Sequence, residues 1–231
     1  MSEEVRKGHM KALVLGGKGE IGSAIASRLA DSGYSVTAVG RSDFDLARRE
    51  DILAYFERHP ADFDVLVHSA GWNVPKEFDQ LTDDEIRHSL DANLLGFLTV
   101  ARACIPHWKK VQSGRIVVLS SLYGFFARKG RLPYVASKHA LNGVVKTLAI
   151  ELAPFGVLAN TVSPGYIATD LTYRNNTQEK IDALVSGIPV GRMGSPDEIA
   201  SVVDFLSSSQ NTYINGQNIV VDGGYSIGGF Q

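Results

Sequence analysis

Cysteine is all but missing from this 231-residue chain: there is one, Cys104, so no disulfide can form within it. That excludes a disulfide-stapled scaffold and fits a reducing compartment, here expected to be the cytoplasm. Cys104 falls in the helical pattern LLGFLTVARACIP and reads as a small buried apolar side chain. No apolar run approaches the length of a membrane span. The polar, acidic start MSEEVRKGHM lacks the basic-then-apolar order of a signal peptide. Residues 1–10 therefore read as an N-terminal tail, either disordered or an addition ahead of a start at Met10. Neither sign of charge dominates, with 23 Lys and Arg against 25 Asp and Glu. Nothing in that balance draws the chain to nucleic acid or to an anionic membrane. The six histidines have no ligand spacing, so no catalytic metal is expected. Repeats, linkers and low-complexity tracts are also absent. At 44% apolar and 21% charged the chain has the composition of a globular protein, long enough for one core and short for two domains.

What is present is an alternation of strand-like and helix-like segments. KALVLGG leads into IGSAIASRLADSG, where Ile21, Ile25, Ala26 and Leu29 recur at helical spacing before Gly33. YSVTAVG, a helix from Arg48 to about His59, and FDVLVHSAG follow. After them come a helical stretch from TDDEI to PHW, the strand GRIVVLSS, and a long helix from about Pro133 to Phe155. VLANTVSPG and QNIVVDGG read as two more strands. Ser195 and Glu198 have capping-box spacing with Pro196 at the first helical position. The runs ALVL, VLV and IVVL are apolar without alternation, the pattern of strands buried on both faces. The fold class is therefore α/β: a single Rossmann-like, doubly wound parallel sheet over residues 11–231, with helices on both faces. RSDFDLARRED leaves no room for a helix between the second strand and DFDL, so that edge of the sheet should be abbreviated.

LVLGGKGEIG places four glycines within residues 16–22, where a strand hands over to a helix. A turn that receives a pyrophosphate needs positive φ, close backbone approach, and tight packing of helix on sheet; the helix N-terminus then offers free N–H groups. Gly17, Gly19 and Gly22, or Gly16, Gly19 and Gly22, fit such a dinucleotide fingerprint.

Downstream, LSSLYGFFARKGRLPYVASKHAL holds Tyr134 and Lys138, four apart and on one helix face. Ser121 lies thirteen residues before Tyr134, and Asn93 twenty-eight before Ser121. With the glycine stretch, HSAG, SPGYIATD and NGQNIVVDGG, this resembles the short-chain dehydrogenase/reductase family, and most of all its 3-oxoacyl-carrier-protein reductase-like members. The resemblance runs from about Lys11 to Gly224. It implies Tyr134 as acid/base, Ser121 as polariser of the substrate oxygen, Lys138 as ribose-binding partner, and Asn93 as holder of a water linking Lys138 to solvent. It implies that Gly16, Lys18, Gly19, Ile21, Gly22, Ser69, Ala70 and Gly71 line the dinucleotide. Pro164, Gly165, Ile167 and Thr169 would line the nicotinamide end, and Asp45 and Leu46 would flank the adenine. The chemistry is sized by simple electrostatics. Moving a phenol from pH 10 toward neutrality takes about 4 kcal/mol, and an ammonium at about 4 Å supplies roughly that at an effective dielectric near 20.

The chain departs from the family pattern in places. Leu15 stands where a threonine is usual, Glu20 takes the second glycine place, and Ser69 replaces an asparagine. Glu20 is expected to turn outward near its helix N-terminus, where negative charge is tolerated. Cofactor choice turns on the end of the second strand, where an acid selects NAD and a base NADP. Arg41, Ser42 and Lys18 favour NADP(H); Asp43 is the competing feature, and NAD(H) is the alternative.

Substrate recognition is assigned to a lid at about 171–192, with Phe125, Phe126 and Trp72 as candidates for one apolar wall. Arg128, Lys129 and Arg131 form either a solvated basic loop or a site for an anionic substrate or a carrier's phosphate arm. The expected function is an NADP(H)-dependent carbonyl–alcohol oxidoreductase of 3-oxoacyl reductase type, acting on a small, or carrier-bound, substrate. The alternatives are a sugar or secondary-alcohol dehydrogenase of the same family and a non-catalytic dinucleotide sensor. A sugar-nucleotide epimerase shares Y-x-x-x-K but usually carries a larger C-terminal region. The resemblance also implies a homo-oligomer, a tetramer or dimer.

Overall fold

A computed structural model describes residues 10–174 and 176–228; residues 1–9 of the expected tail, Asn175 of the expected lid and the last three residues lie outside the described ones. In chain order the elements are β1 (Lys11–Leu15), α1 (Glu20–Asp31), β2 (Ser35–Val39), α2 (Arg49–Arg58), β3 (Val65–His68), α3 (Asp83–Leu90) and α4 (Gly96–Val111). Then come β4 (Gly114–Leu119), α5 (Leu132–Leu152), β5 (Val157–Pro164), α6 (Asp170–Arg174), α7 (Gln178–Ser186), α8 (Pro196–Ser207), β6 (Asn218–Val221) and α9 (Tyr225–Gly228).

The six strands form one sheet in the order β2-β1-β3-β4-β5-β6, all neighbours parallel. Period-two geometry explains why the strand runs are apolar throughout. Leu13, Leu15, Leu66, Ile116 and Val118 point into a core with Phe97, Trp108 and Leu141 from α4 and α5. Ala12, Val14, Val65, Val67, Val117 and Leu119 point the other way, onto Ile25 and Leu29 of α1 and Ile199 and Val203 of α8. Cys104 is fully buried in the first core, and burial pushes its thiol up to about 12. The abbreviated edge is real: β2 ends the sheet, and residues 40–48 turn back to α2 without another strand.

Both helix starts with capping boxes follow from local sequence. Ser195 accepts from the Glu198 amide and Thr82 from the Glu85 amide, each glutamate reaching back to its cap. The long helix stops at Leu152 and finishes in a 3₁₀ turn, Ala153–Phe155. Between α3 and α4 the backbone widens into a π-turn, Asp91–Leu95, which carries Asn93. Among the described residues no helix is long and apolar enough to cross a membrane.

Strand order reverses at β1, since β2 lies to one side and β3 to the other. In a sheet of this kind the crevice beyond the strand ends at that point is where ligands bind. The loops that open it are the glycine turn after β1 and Ser69–Gly71 after β3.

Candidate active site

Two adjoining cavities occupy that crevice, about 300 Å³ and about 410 Å³, and share Gly16, Gly19, Ser69, Ala70 and Gly71. The turn is built so that only glycine fits at three positions, one of them Gly17, where a Cβ would lie 2.7 Å from Ala38 Cβ. Gly16 has φ +75°, and a Cβ there would lie 2.6 Å from the Ala70 nitrogen. At Gly22 an added Cβ would sit 2.1 Å from the Gly16 carbonyl oxygen, so α1 packs directly on the turn.

The smaller cavity is lined by Lys18, Gly40, Arg41, Phe44, Asp45, Leu46 and Trp72. Lys18 Nζ donates to Ser42 Oγ at 2.8 Å and pairs with Asp43 at 2.6 Å. That bond, with the Gly40 amide, holds the Asp43 carboxyl below the usual carboxylate range. Asp45 is spent on the Ala47 amide. The larger cavity is lined by Glu20, Ile21, Gly22, Ser121, Tyr134, Lys138, Pro164, Gly165, Tyr166, Ile167 and Thr169. Ser69 donates its amide to the Leu15 carbonyl, and Thr169 Oγ1 lies 2.9 Å from Thr172 Oγ1.

Tyr134 and Lys138 rise from the first turns of α5 toward the end of β4. Ser121 follows β4 directly; its Oγ accepts the Tyr123 amide and hydrogen-bonds the Tyr134 side chain. Lys138 is 2% exposed, and its Nζ donates to the Leu119 carbonyl at 2.6 Å. Burial lowers its pKa from 10.5 to about 8. Asn93 is fully buried: its Nδ2 donates to the Trp72 carbonyl at 2.8 Å and Ser137 Oγ at 3.1 Å, and its Oδ1 accepts the Trp72 amide.

Two expectations are corrected here, on Tyr134 and on Trp72. Sequence electrostatics anticipated that Lys138 would make Tyr134 more acidic; the phenol is instead raised, because burial outweighs its hydrogen bond to Ser121. The ammonium sits 5.5 Å from the Tyr134 ring centroid and donates to the Leu119 carbonyl. Glu20 is exposed at the start of α1. It lines the larger cavity, and its Oε2 accepts the Asp170 amide at 2.8 Å. Trp72 does not join Phe125 and Phe126: it lines the smaller cavity and meets His88 edge-on at 4.8 Å, while the two phenylalanines pack on each other at 4.7 Å.

His68 is the residue that sequence reasoning missed. It ends β3, is fully buried, and its Nε2 lies 2.9 Å from the Asn93 backbone oxygen. A carbonyl only accepts, so Nε2 carries the proton. The ring stacks on Phe97 at 5.1 Å. Burial, then the Lys138 charge, lower its pKa to about 3, so the ring is neutral. A histidine closing the apolar run VLV was the available signal.

The residues present fit a dinucleotide. A Cβ at Gly19 would meet nothing nearer than the Gly16 carbonyl oxygen at 3.5 Å, so the turn leaves its face open to the crevice. The crevice is continuous from Arg41 to Tyr134 through the shared glycines. Among the described residues no cluster of His, Cys, Asp and Glu has metal-holding geometry.

Known proteins resemble this chain in sequence and in fold. A family model described as Enoyl-(Acyl carrier protein) reductase matches residues 43–226. The 3-oxoacyl-[acyl-carrier-protein] reductase MabA of Mycobacterium tuberculosis is 34% identical over 229 residues, covering 94% of this chain and 92% of the relative. The 3-oxoacyl-[acyl-carrier-protein] reductase FabG of Aquifex aeolicus is 36% identical over 227 residues, 97% of this chain and 90% of the relative. Among solved structures, gluconate 5-dehydrogenase from Burkholderia cenocepacia, in complex with NADP and tartrate, superposes with a TM-score of 0.85 at 27% identity over 94% and 95% of the two chains. 4-Hydroxyisoleucine dehydrogenase complexed with NADH superposes with a TM-score of 0.90 at 27% identity over 95% and 99%. The chain belongs to the short-chain dehydrogenase/reductase family of oxidoreductases.

Proposed function

We propose that this enzyme interconverts a carbonyl and a secondary alcohol with NADP(H), in the manner of a 3-oxoacyl reductase. The observation that carries the reading is the convergence of Ser121, Tyr134 and Lys138 on a cavity continuous with the glycine turn. When bound, the dinucleotide supplies or takes up the hydride. Gly16, Lys18, Gly19, Ile21 and Gly22 would hold its pyrophosphate side. Arg41, Ser42, Asp45 and Leu46 would hold the adenosine, Ser69, Ala70 and Gly71 the floor between, and Pro164, Gly165, Ile167 and Thr169 the nicotinamide end.

The chain's own residues then handle one oxygen and one proton. Ser121 Oγ and Tyr134 Oη bind the substrate carbonyl oxygen, and Tyr134 passes it a proton as negative charge grows there. The raised pKa of the phenol keeps it protonated near neutral pH, which is the form that reduction needs. Lys138, held by Leu119, would bond the ribose and stabilise the phenolate left behind; Asn93 ties the Trp72 backbone to the Ser137 hydroxyl.

A screen of carbonyl and alcohol substrates followed by nicotinamide absorbance tests this. Tyr134→Phe should cut turnover by about 10²–10⁴, and full turnover in that variant would refute the role. Dehydrogenation of a sugar acid or a secondary alcohol is the second reading, favoured by the likeness to gluconate 5-dehydrogenase.

We further infer a cytoplasmic homo-oligomer, a tetramer or dimer, built on α4 and α5. Leu95 and Val111 flank or end α4, Leu132 and Ile150 lie on α5, and all four are exposed, Ile150 at 77%. Light scattering on the purified protein tests the assembly; a monomer at assay concentration would refute it.

A further inference from the structure

Four basic residues, Lys76, Arg128, Lys129 and Arg131, lie in or beside the loop that leads into α5, and they are treated differently. Lys76 pairs with Glu85, and Lys129 with Glu77 at 2.8 Å. Among the described residues no carboxylate pairs with Arg128 or Arg131. Arg131 occupies the N-cap position of α5 without a side-chain capping bond, and its charge is one of those felt by the Tyr134 phenol. Arg128 is fixed from two sides: its Nη1 donates to Tyr123 Oη at 2.5 Å and to Tyr166 Oη at 3.2 Å. Its guanidinium also lies over the Tyr123 ring, 5.7 Å from the centroid.

Those anchors tie Arg128 to the reaction centre. Tyr123 packs edge-on against Tyr134, ring centroids 6.4 Å apart, and Tyr166 lines the cavity that holds Ser121, Tyr134 and Lys138. Both hydrogen bonds come from one nitrogen, so the Nε–Nη2 edge has no partner among the described residues. That edge is the planar fork that matches a carboxylate bidentately. An exposed arginine with no role spends conformational entropy for nothing by being held this way. Two tyrosines hold it instead, and hydroxyls do not neutralise it.

We propose that Arg128 binds a carboxylate on the substrate, which makes short oxo acids, and the hydroxy acids they yield, better substrates than neutral ketones. This rests on the oxidoreductase reading above. A carrier arm's phosphate is a poorer occupant, because many covalent bonds separate it from its thioester carbonyl, whereas Arg128 stands one aromatic ring away from Tyr134. Arg131 adds positive potential on the same side.

The test compares wild type with Arg128→Met and Arg128→Lys on 3-oxobutanoate, ethyl 3-oxobutanoate and the 3-oxobutanoyl thioester of phosphopantetheine. The readout is the ratio of kcat/KM for the free acid to that for the ethyl ester. It should fall on the order of 10- to 100-fold in Arg128→Met, the effect of one charged hydrogen-bonding partner, and recover partly in Arg128→Lys, which keeps the charge without the fork. An unchanged ratio overturns the proposal, and so does an equal loss confined to the phosphorylated thioester. Binding of 3-hydroxybutanoate and of its amide, followed by ligand-observed NMR, does not depend on turnover. Weaker binding of the acid alone in Arg128→Met supports the proposal, and equal binding by both proteins overturns it. Selective acid binding without any turnover would sink only the catalytic reading.

Discussion

The Glu20 carboxylate accepts the backbone amide of Asp170 across 150 residues of chain, joining the first turn of α1 to the first turn of α6. The glycine turn and the start of the lid segment are thereby latched together over the larger cavity. The latch also puts a negative charge at the proposed pyrophosphate seat. Glu20 is exposed, so the repulsion is screened and modest.

Glu20→Gln keeps an acceptor for the Asp170 amide and removes the charge. Its dissociation constant for NADPH should fall about 2- to 5-fold at low ionic strength. The gain should vanish near about 0.5 M salt, where the Debye length is only a few ångströms. Glu20→Ala removes the latch as well, and a larger change in that variant would assign the remainder to the lid. Fluorescence titration of NADPH measures both; equal affinities for wild type and Glu20→Gln at low salt would contradict the electrostatic account.

How much of this the sequence carried depends on the range of each interaction. Strands buried on both faces announce themselves as unbroken apolar runs, so β1, β3 and β4 were readable from ALVL, VLV and IVVL. Gly16–Gly22 and the Tyr134–Lys138 spacing are local patterns, and the cavity brings these residues together. The short route from β2 to α2 was legible simply because there are too few residues for a helix. By contrast, the Glu20–Asp170 and His68–Asn93 bonds link segments far apart in the chain, and no local pattern encodes them. The acidity of Tyr134 was misjudged for a related reason. A charge four residues away is visible in sequence, whereas the desolvation that outweighs it comes from the whole fold.

Lys138 imposes a stability cost that pH relieves. Its folded pKa of about 8 lies below the ordinary 10.5, so below about pH 8 the folded protein bears the whole expense of burying the charge. That expense is about 3 kcal/mol. Between about 8 and 10.5 the unfolded chain binds more protons than the folded one, and wild-type stability rises with pH. Lys138→Met lacks this dependence but leaves the Leu119 carbonyl without its donor, a loss of about 1–3 kcal/mol. The melting temperature of wild type should therefore gain roughly 4–8 °C on Lys138→Met between about pH 7 and pH 10. Thermal melts of the two proteins across that range measure it, and parallel curves would contradict a depressed lysine.

His68 works with the same sign, over a lower stretch of the pH scale. The buried ring is neutral with a pKa of about 3, against 6.5 when unfolded, so its contribution is complete above about pH 6.5 and is lost as pH falls toward 3. At pH 7, His68→Asn should be less stable by about 1–2 kcal/mol, having lost the Phe97 stack and the bond to the Asn93 carbonyl. Wild type alone then weakens with acid, by about 2 kcal/mol at pH 5. The two denaturation midpoints should converge or cross between those values; a constant gap would mean that the histidine does not titrate on unfolding as described.

The last prediction separates the two cofactor readings at one side chain. Asp43 holds Lys18 at 2.6 Å in the cavity that Arg41 lines. If the cavity takes a 2′-phosphate, Asp43 competes with that phosphate for Lys18, and Asp43→Asn should lower the KM for NADPH several-fold, about the value of one exposed charge pair or a little more. If the cavity takes an unphosphorylated ribose, Asp43 is the acceptor for its 2′-hydroxyl, and the same substitution should raise the KM for NADH. Arg41→Ala supplies the converse: under the NADP reading it should cut the NADPH-to-NADH preference by about 10-fold or more, the loss of a charge-assisted phosphate contact. Steady-state kinetics with both dinucleotides decide the matter. A rise in the NADH KM of Asp43→Asn, with its NADPH KM unmoved, would reassign the enzyme to NAD.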